Sequence, residues 1–353
     1  MPNWSESMQQ TYEYYVVDPG TWKDIKQLTN VTRCSIDRDS SADTLGSARI
    51  DVTETIEECY VRCYLITIQN GVRERHPLGT FLVQTPSTSF DGKTTSVSVD
   101  AYTPLIELKE KLPPLGYYIA KNTNVMDISH KLVRENLRAP VVEPESDTVF
   151  FDNFIANTSE NWLRFLTDSI KYAKYEFDID EYGRILFSPI RETASLSPIW
   201  TYDDSNSSIL YPDISIDRDI YGIPNAVEVL YSDSGNSFYH KIVNDDPNSP
   251  VSTISRGREI LYRETNPSII GNPTNDQVEE YARRILKELS TIEYSVTYKH
   301  GYCPVRVGDC VRLNYAKAGL NNVVAKVVSQ SIDCVPGCPV SEKAVFTKKL
   351  WGE

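Results

Sequence analysis

"GTFLVQTPSTSFDGKTTSVSVDAYTPLIEL", Gly79 to Leu108, decides the fold class of this chain. Apolar alternation runs through Phe81 and Val83, breaks at Phe90-Asp91-Gly92, and resumes at Val97, Val99 and Ala101. That is the period of two half-buried strands joined by a tight turn. After Tyr102 the texture changes, and "TPLIELKEKL" reads as a short helix or connector. Nothing in the stretch can do chemistry.

Working outward, the first hundred residues read as all β. Ala48, Ile50 and Val52 alternate with Arg49, Asp51 and Thr53. "ECYVRCYLITIQ" (Glu58–Gln69) is apolar or aromatic on both faces and ends in Asn70-Gly71, a strong hairpin signal. Downstream, "NTNVMDISHKLVRENL" carries an apolar stripe of Val125, Ile128, Leu132 and Val133. A second helix follows in "TSENWLRFLTDSIKYA", with Ser159 as the expected N-cap. "YEFDIDEYGRILFSP" reads as a hairpin turning at Tyr182-Gly183. From Ser205 the β texture returns, with Ser232–Pro250 a polar loop or loose hairpin. Thr274 and Gln277 fit a capping box that opens a helix over 275–289. The remainder, from Ile292 on, is short strands, with turns at Gly308-Asp309 and Asn321-Asn322.

Composition narrows the function. The chain has 353 residues, 40% hydrophobic, enough for two or three domains with a real core. Its net charge is −13 and no basic cluster is present, so tight binding to a phosphate backbone is disfavoured. No segment reaches the roughly 18 apolar residues of a membrane span. The start, "MPNWSESMQQTYEYY", is not a secretory signal, so folding in a reducing cytoplasm is expected.

Catalytic patterns are missing. His76 precedes Pro77 at an expected strand entry, His130 opens "HKLVRE" rather than a zinc-hydrolase motif, and His300 is read in a turn before Gly301. There is no G-x-S-x-G elbow and no P-loop. Asp178, Asp180 and Glu181 look like the start of a calcium loop, but Pro189 stands where the bidentate glutamate belongs, so a hairpin is expected. Of seven cysteines, Cys59 and Cys63 share a strand face and Cys334 and Cys338 bracket a turn. These four are the candidate metal ligands; the alternative is reduced cysteines packed as small hydrophobes. The 22 tyrosines fit either strand formation or interface recognition.

"SIDRDSSADTLGSARIDV", "HPLGTFLVQTP", "DGKTTSVSVDAYTPLIEL", "GYYIAKNTNVMDISHKLV" and the distant "DQVEEYARRILKEL…VRVGDCVRL" together resemble bacteriophage tail-hub proteins. These are the baseplate-hub or minor tail proteins of long-tailed phages, and the structural N-terminal part of their tail-associated lysins. The resemblance spans nearly the whole chain in order. It implies a mainly β fold with an α+β insert: two tail-tube-like β-barrel domains in a homotrimeric, pseudo-hexameric ring. By that analogy residues 1–103 form the first barrel. Residues 104–205, joined by 232–289, form the insert, and 206–353 hold the second barrel with the helix at 275–289 embedded. The implied role is non-enzymatic and needs no cofactor: the ring joins a sixfold tail tube to a threefold tip and lines the DNA channel. Implied partners are tail-tube and distal-tail proteins, a tip, spike or fibre protein, and the tape measure. The implied location is the virion, after assembly in the host cytoplasm. The chain stops at Glu353 after the second β unit, so any lytic domain is expected on another polypeptide. The alternatives are a distal-tail or receptor-binding adaptor, a cell-wall hydrolase, and a metal protein.

Overall fold

The computed structural model describes residues 2–90, 92–93, 95–191, 193–233, 236–265, 267, 269 and 273–352. It is mainly β, with 46% of residues in strands against 15% in helices. The early strands are β1 (Gln9–Val17), β2 (Asp24–Leu28), β3 (Val31–Asp39), β4 (Gly46–Val52), β5 (Tyr60–Gln69), β6 (Val72–Phe90) and β7 (Thr95–Tyr102). Next come α1 (Ile106–Glu110), β8 (Tyr118–Ile119), α2 (Val125–Asn136), β9 (Phe154–Ile155), α3 (Trp162–Tyr172), β10 (Tyr175–Ile179), β11 (Ile185–Pro189) and β12 (Trp200–Asp203). The last third holds β13 (Leu210–Arg218), β14 (Ala226–Asp233), β15 (Asn236–Val243), α4 (Thr253–Arg256), β16 (Leu261–Glu264), α5 (Asn275–Leu289), β17 (Thr291–Gly301), β18 (Cys310–Tyr315), β19 (Leu320–Asp333) and β20 (Pro339–Lys349).

Two compact units divide the chain: residues 1–214 with 297–344, and residues 215–296 with 345–353. Residues 104–205 fall in the first unit and 232–289 in the second.

The expectation of two barrels meets a different pairing. Thirteen strands form one sheet in the order β13-β17-β20-β19-β3-β4-β7-β6-β5-β1-β2, with β18 paired to β19 and β12 to β18. The path does not return on itself, and no closed barrel is formed among the described residues. The early and late β regions meet where Ser329–Asp333 of β19 pairs with Ser35–Asp39 of β3. Alternation along a strand sets which face is buried; it does not name the neighbour across the ladder.

The hairpins read from sequence are present. β5 and β6 pair through Gln69↔Val72, and Asn70 (φ 50°) with Gly71 (φ 78°) supplies the two left-handed residues of a type I′ turn. β6 pairs with β7 from Leu82↔Tyr102 to Phe90↔Thr95; Asp91, of the expected Asp91-Gly92 turn, lies outside the described residues. Within Ser232–Pro250 a hairpin forms, β14 with β15, although Ser234 and Gly235 lie outside the described residues. Three expectations shift. The turn before β19 sits at Ala316–Gly319, because Gly319 takes the left-handed cap (φ 75°) and Asn321-Asn322 lie inside the strand. α3 is capped by Asn161, whose side chain accepts the Arg164 N–H at 2.9 Å, not by Ser159. His76 lies within β6 rather than at its start.

In the first unit, Ile36, Ile50, Val61, Leu65, Val97 and Val99 form the sheet core. Each fully buried aliphatic side chain there contributes roughly 1.5–3 kcal/mol. A second core joins α1, α2 and α3 to the β10–β11 hairpin through Leu105, Met126, Phe165, Leu166 and Phe177. In the second unit, β15-β14-β16 form a separate three-stranded sheet. α5 lays Val278, Ala282 and Leu286 on Val227, Val229 and Ile242 of that sheet. The capping box is complete: the Thr274 hydroxyl accepts the Gln277 N–H, and the Gln277 side chain accepts the Thr274 N–H. Thr274→Ala is therefore expected to cost about 1 kcal/mol. Faster amide exchange confined to 275–280 checks it.

Candidate functional site: a polar sheet face, a docked hairpin and a buried ion pair

Strand alternation that buries Cys34, Ile36, Ala48, Ile50, Val97 and Val99 turns the intervening residues to the other side of the sheet. Across β19, β3, β4 and β7 these fall in register: Asp333, Ser35, Arg49 and Asp100 in one row, Ser331, Asp37, Ser47 and Tyr102 in the next. Ser98 accepts from Arg49 Nε at 2.8 Å. Thr297, Ser329, Ser341 and Lys343 continue the face around a shallow concavity of about 340 Å³. Apart from Tyr102 and the long cationic side chains, the residues are small and polar. Five aspartates (Asp37, Asp39, Asp51, Asp100, Asp333) stand against Arg33, Arg49, Lys299 and Lys343. Such a surface repels phosphate and offers little apolar area for adhesion.

The β10–β11 hairpin is clamped down against β5 and β6. Arg306 reaches Asp178 at 3.2 Å, the Ile179 carbonyl at 2.6 Å and Glu181 at 2.9 Å. Trp22 donates its indole N–H to the Tyr182 carbonyl at 2.7 Å, and Arg62 donates to the same oxygen at 3.1 Å. Gly183 (φ 75°) lies against Thr80 and Trp22. The carboxylates that resembled a calcium loop are thus arginine partners: Asp178 and Glu181 to Arg306, Asp180 to Arg184 at 2.5 Å. An open concavity of about 920 Å³ over this seam mixes cations and carboxylates.

A buried network was not legible beforehand. His300 lies in β17 rather than in a turn, fully buried. Its Nδ1 donates to the Gly301 carbonyl at 2.7 Å, and its Nε2 is 3.1 Å from the Tyr202 hydroxyl and 3.4 Å from Glu342. Glu342 also accepts from the Tyr298 hydroxyl and from Gln330 at 2.6 Å; Gln330 in turn accepts from Arg38 at 3.2 Å. The Tyr202 hydroxyl is 3.2 Å from Cys303. Burial pulls the His300 imidazole down, but Cys303 and Glu342 outweigh it and push it up to about 10. That shift favours the imidazolium form, beside the Glu342 side chain. The Cys303–His300–Glu342 grouping has the makings of a nucleophile and base, yet Cys303 and His300 are buried out of reach of a substrate. The signal was present in the run Ile292, Tyr294, Val296, Tyr298, His300, whose period of two puts the histidine on the buried face.

The four cysteines converge only in part. Cys63, Cys334 and Cys338 are buried in the sheet core with Cys34, whose sulfur is 3.9 Å from that of Cys63; Cys59 packs on the rim. Burial pushes the Cys338 thiol up to about 12 and the Cys59 thiol to about 11, so in the metal-free chain both are protonated at neutral pH. Among the described residues no three His, Cys, Asp or Glu side chains are grouped to hold a metal ion. The tyrosines divide: Tyr60, Tyr64 and Tyr231 are buried in sheets, whereas Tyr211, Tyr221 and Tyr239 are exposed. Among the described residues, no helix is long and apolar enough to cross a membrane.

No family model and no curated protein matches the sequence. Solved structures do match. A tail protein from Neisseria meningitidis aligns over 96% of this chain and 97% of its own, with a TM-score of 0.61 and 12% identity. The 43 kDa tail protein of prophage MuSo2 from Shewanella oneidensis aligns over 95% of this chain and 98% of its own, with a TM-score of 0.62 and 12% identity. The chain has a phage tail-protein fold. That fold agrees with the resemblance read from its sequence. The two matches cover 96% and 95% of the chain, so the fold they share takes in nearly all of it.

Proposed function

We propose that the protein is a structural hub subunit of a phage tail tip or baseplate, acting without catalysis, and that three copies close a pseudo-hexameric ring. In that ring the small, acidic face of β19, β3, β4 and β7 lines the DNA channel, so that the duplex slides without sticking. The carrying observation is this face: apart from Tyr102 its side chains are polar, and aspartates outnumber cations along a continuous sheet. The tail-protein fold supports the same reading. Tail-tube and distal-tail proteins on one side, and a tip, spike or fibre protein with the tape measure on the other, are the partners of the proposed ring.

Light scattering of the purified chain, with negative-stain images of the same peak, tests this. The expected mass is three times the 40.1 kDa of one chain, in a ring with a central opening. A sixfold ring points to a distal-tail role instead. A monomer that also fails to join tail-tube proteins rejects the hub. Binding of duplex DNA at low salt, unaffected by Asp37→Asn and Asp100→Asn, rejects the channel face.

A further inference from the structure

One surface of the first unit has a character unlike the polar sheet face. Tyr118 of β8 and Ile155 of β9 are cross-strand partners. Their side chains stand together on one face of the two-stranded ribbon, while Ile119 and Phe154 turn into the core. Tyr118 is 56% exposed and Ile155 65%. Phe150 stacks on Phe154 at 5.1 Å, which keeps the next residue, Phe151, beside the ribbon. Phe151 is 79% exposed; its N–H donates to the Tyr172 hydroxyl at 3.2 Å, and the two rings lie 6.2 Å apart. Leu115, at the turn into β8, is 84% exposed. Large apolar side chains gathered in this way mark an interaction surface.

Charge around it identifies what it takes. From Ala139 to Leu163 the chain has no lysine or arginine. Glu143, Glu145, Asp147 and Asp152 in that segment are all exposed, and none is ion-paired among the described residues. The exposed lysines of the neighbouring segments are Lys111, whose ammonium donates to the Asn136 carbonyl, Lys121, Lys171 and Lys174, so the acids are concentrated on the 139–163 segment itself. A second copy of this chain is a poor complement: it carries a net charge of −13 and no run of more than two basic residues. An anionic lipid surface is repelled as well. The fitting complement presents an apolar stripe flanked by lysine or arginine.

We propose that the face formed by Tyr118, Phe151 and Ile155 docks a basic amphipathic segment of a different protein. The apolar residues anchor it and the four carboxylates select its charge. The site is separate from the acidic sheet face and does not depend on its lining a channel.

The test uses the full chain and a fluorescent synthetic helix of leucine and lysine, with a leucine–glutamate helix as control. The expected result is salt-sensitive binding of the leucine–lysine helix and none of the control. Ile155→Ser with Phe151→Ser weakens binding by about tenfold or more. Glu143→Gln with Asp147→Asn weakens it and flattens its salt dependence. Amide exchange of α2 and α3 must be unchanged in both variants, which separates docking from folding; Tyr118→Ser replaces the double variant if it unfolds. Binding untouched by the apolar substitutions overturns the proposal, since charge alone then holds the helix. Loss of self-association in Ile155→Ser, with no effect on the helix, assigns the face to a second copy and also overturns it. Capture by neutral phosphatidylcholine vesicles, lost in the same variant, assigns it to a membrane and does the same.

Discussion

Glu342→Ala is expected to destabilise the first unit by about 3–5 kcal/mol, the range for removing one partner of a buried ion pair. Glu342 is 1% exposed and His300 is 0% exposed, so water cannot take the place of the lost carboxylate. The substitution removes the carboxylate beside His300 and strands the Tyr298 hydroxyl, while the Gln330 amide keeps only its bond to the Val305 carbonyl. A large drop in the urea midpoint, with lost exchange protection at 297–301 and 339–344, is the expected observation. A midpoint shift within experimental scatter would show that the network contributes nothing to stability. The same pair dictates a pH dependence. In the folded chain His300 is raised to about 10 from an ordinary 6.5. A raised folded value means that the contribution is complete below about pH 6.5 and is lost as pH rises toward 10. Stability is therefore expected to fall across that window. His300→Gln, less stable at neutral pH, should show a flatter profile; an unchanged slope assigns the titration to other groups.

Gly183→Val is expected to cost about 2–5 kcal/mol, combining a left-handed backbone with overpacking. At φ 75° an L side chain is strained wherever it lies. Here the new Cβ also falls 2.8 Å from the Thr80 Cβ and 3.2 Å from the Trp22 ring. Thr80 belongs to β6, whose backbone cannot retreat without breaking its pairing to β5. The turn must lift, and the hydrogen bond from Trp22 to the Tyr182 carbonyl goes with it. Faster exchange of the Trp22 indole proton, together with exposure of 175–189, is the readout. Gly71→Ala is the control. It has a similar φ of 78° with no atom within 4 Å, so only the backbone cost of about 1–2 kcal/mol remains. Equal losses in the two variants would dismiss the packing of the hairpin on Thr80.

The local elements were legible because their causes are local. Asn70-Gly71 can take two left-handed residues, Thr274 with Gln277 can close a capping box, and the stripes of α2, α3 and α5 have helical spacing. Asp178, Asp180 and Glu181 illustrate the limit. Rejection of a calcium loop followed from Pro189, but nothing within twenty residues reveals that Arg306 is the partner of two of them. His300 illustrates it again: its burial follows from the alternation of β17, whereas its charge depends on Glu342, forty-two residues on along β20.

By itself the sequence determined the strands and helices, their buried faces, the absence of a basic surface and the resemblance to tail hubs. Only the tertiary structure decided that β19 pairs with β3, so that thirteen strands share one sheet, with no closed barrel among the described residues. It also decided which acids share a face, which arginine clamps the hairpin, and that an imidazolium lies buried beside a carboxylate. Periodicity records whether a side chain faces the core, and that is a property of one strand. The partner across a ladder, and the charge a buried group carries, are set by residues remote in sequence, where loop closure and desolvation decide the outcome.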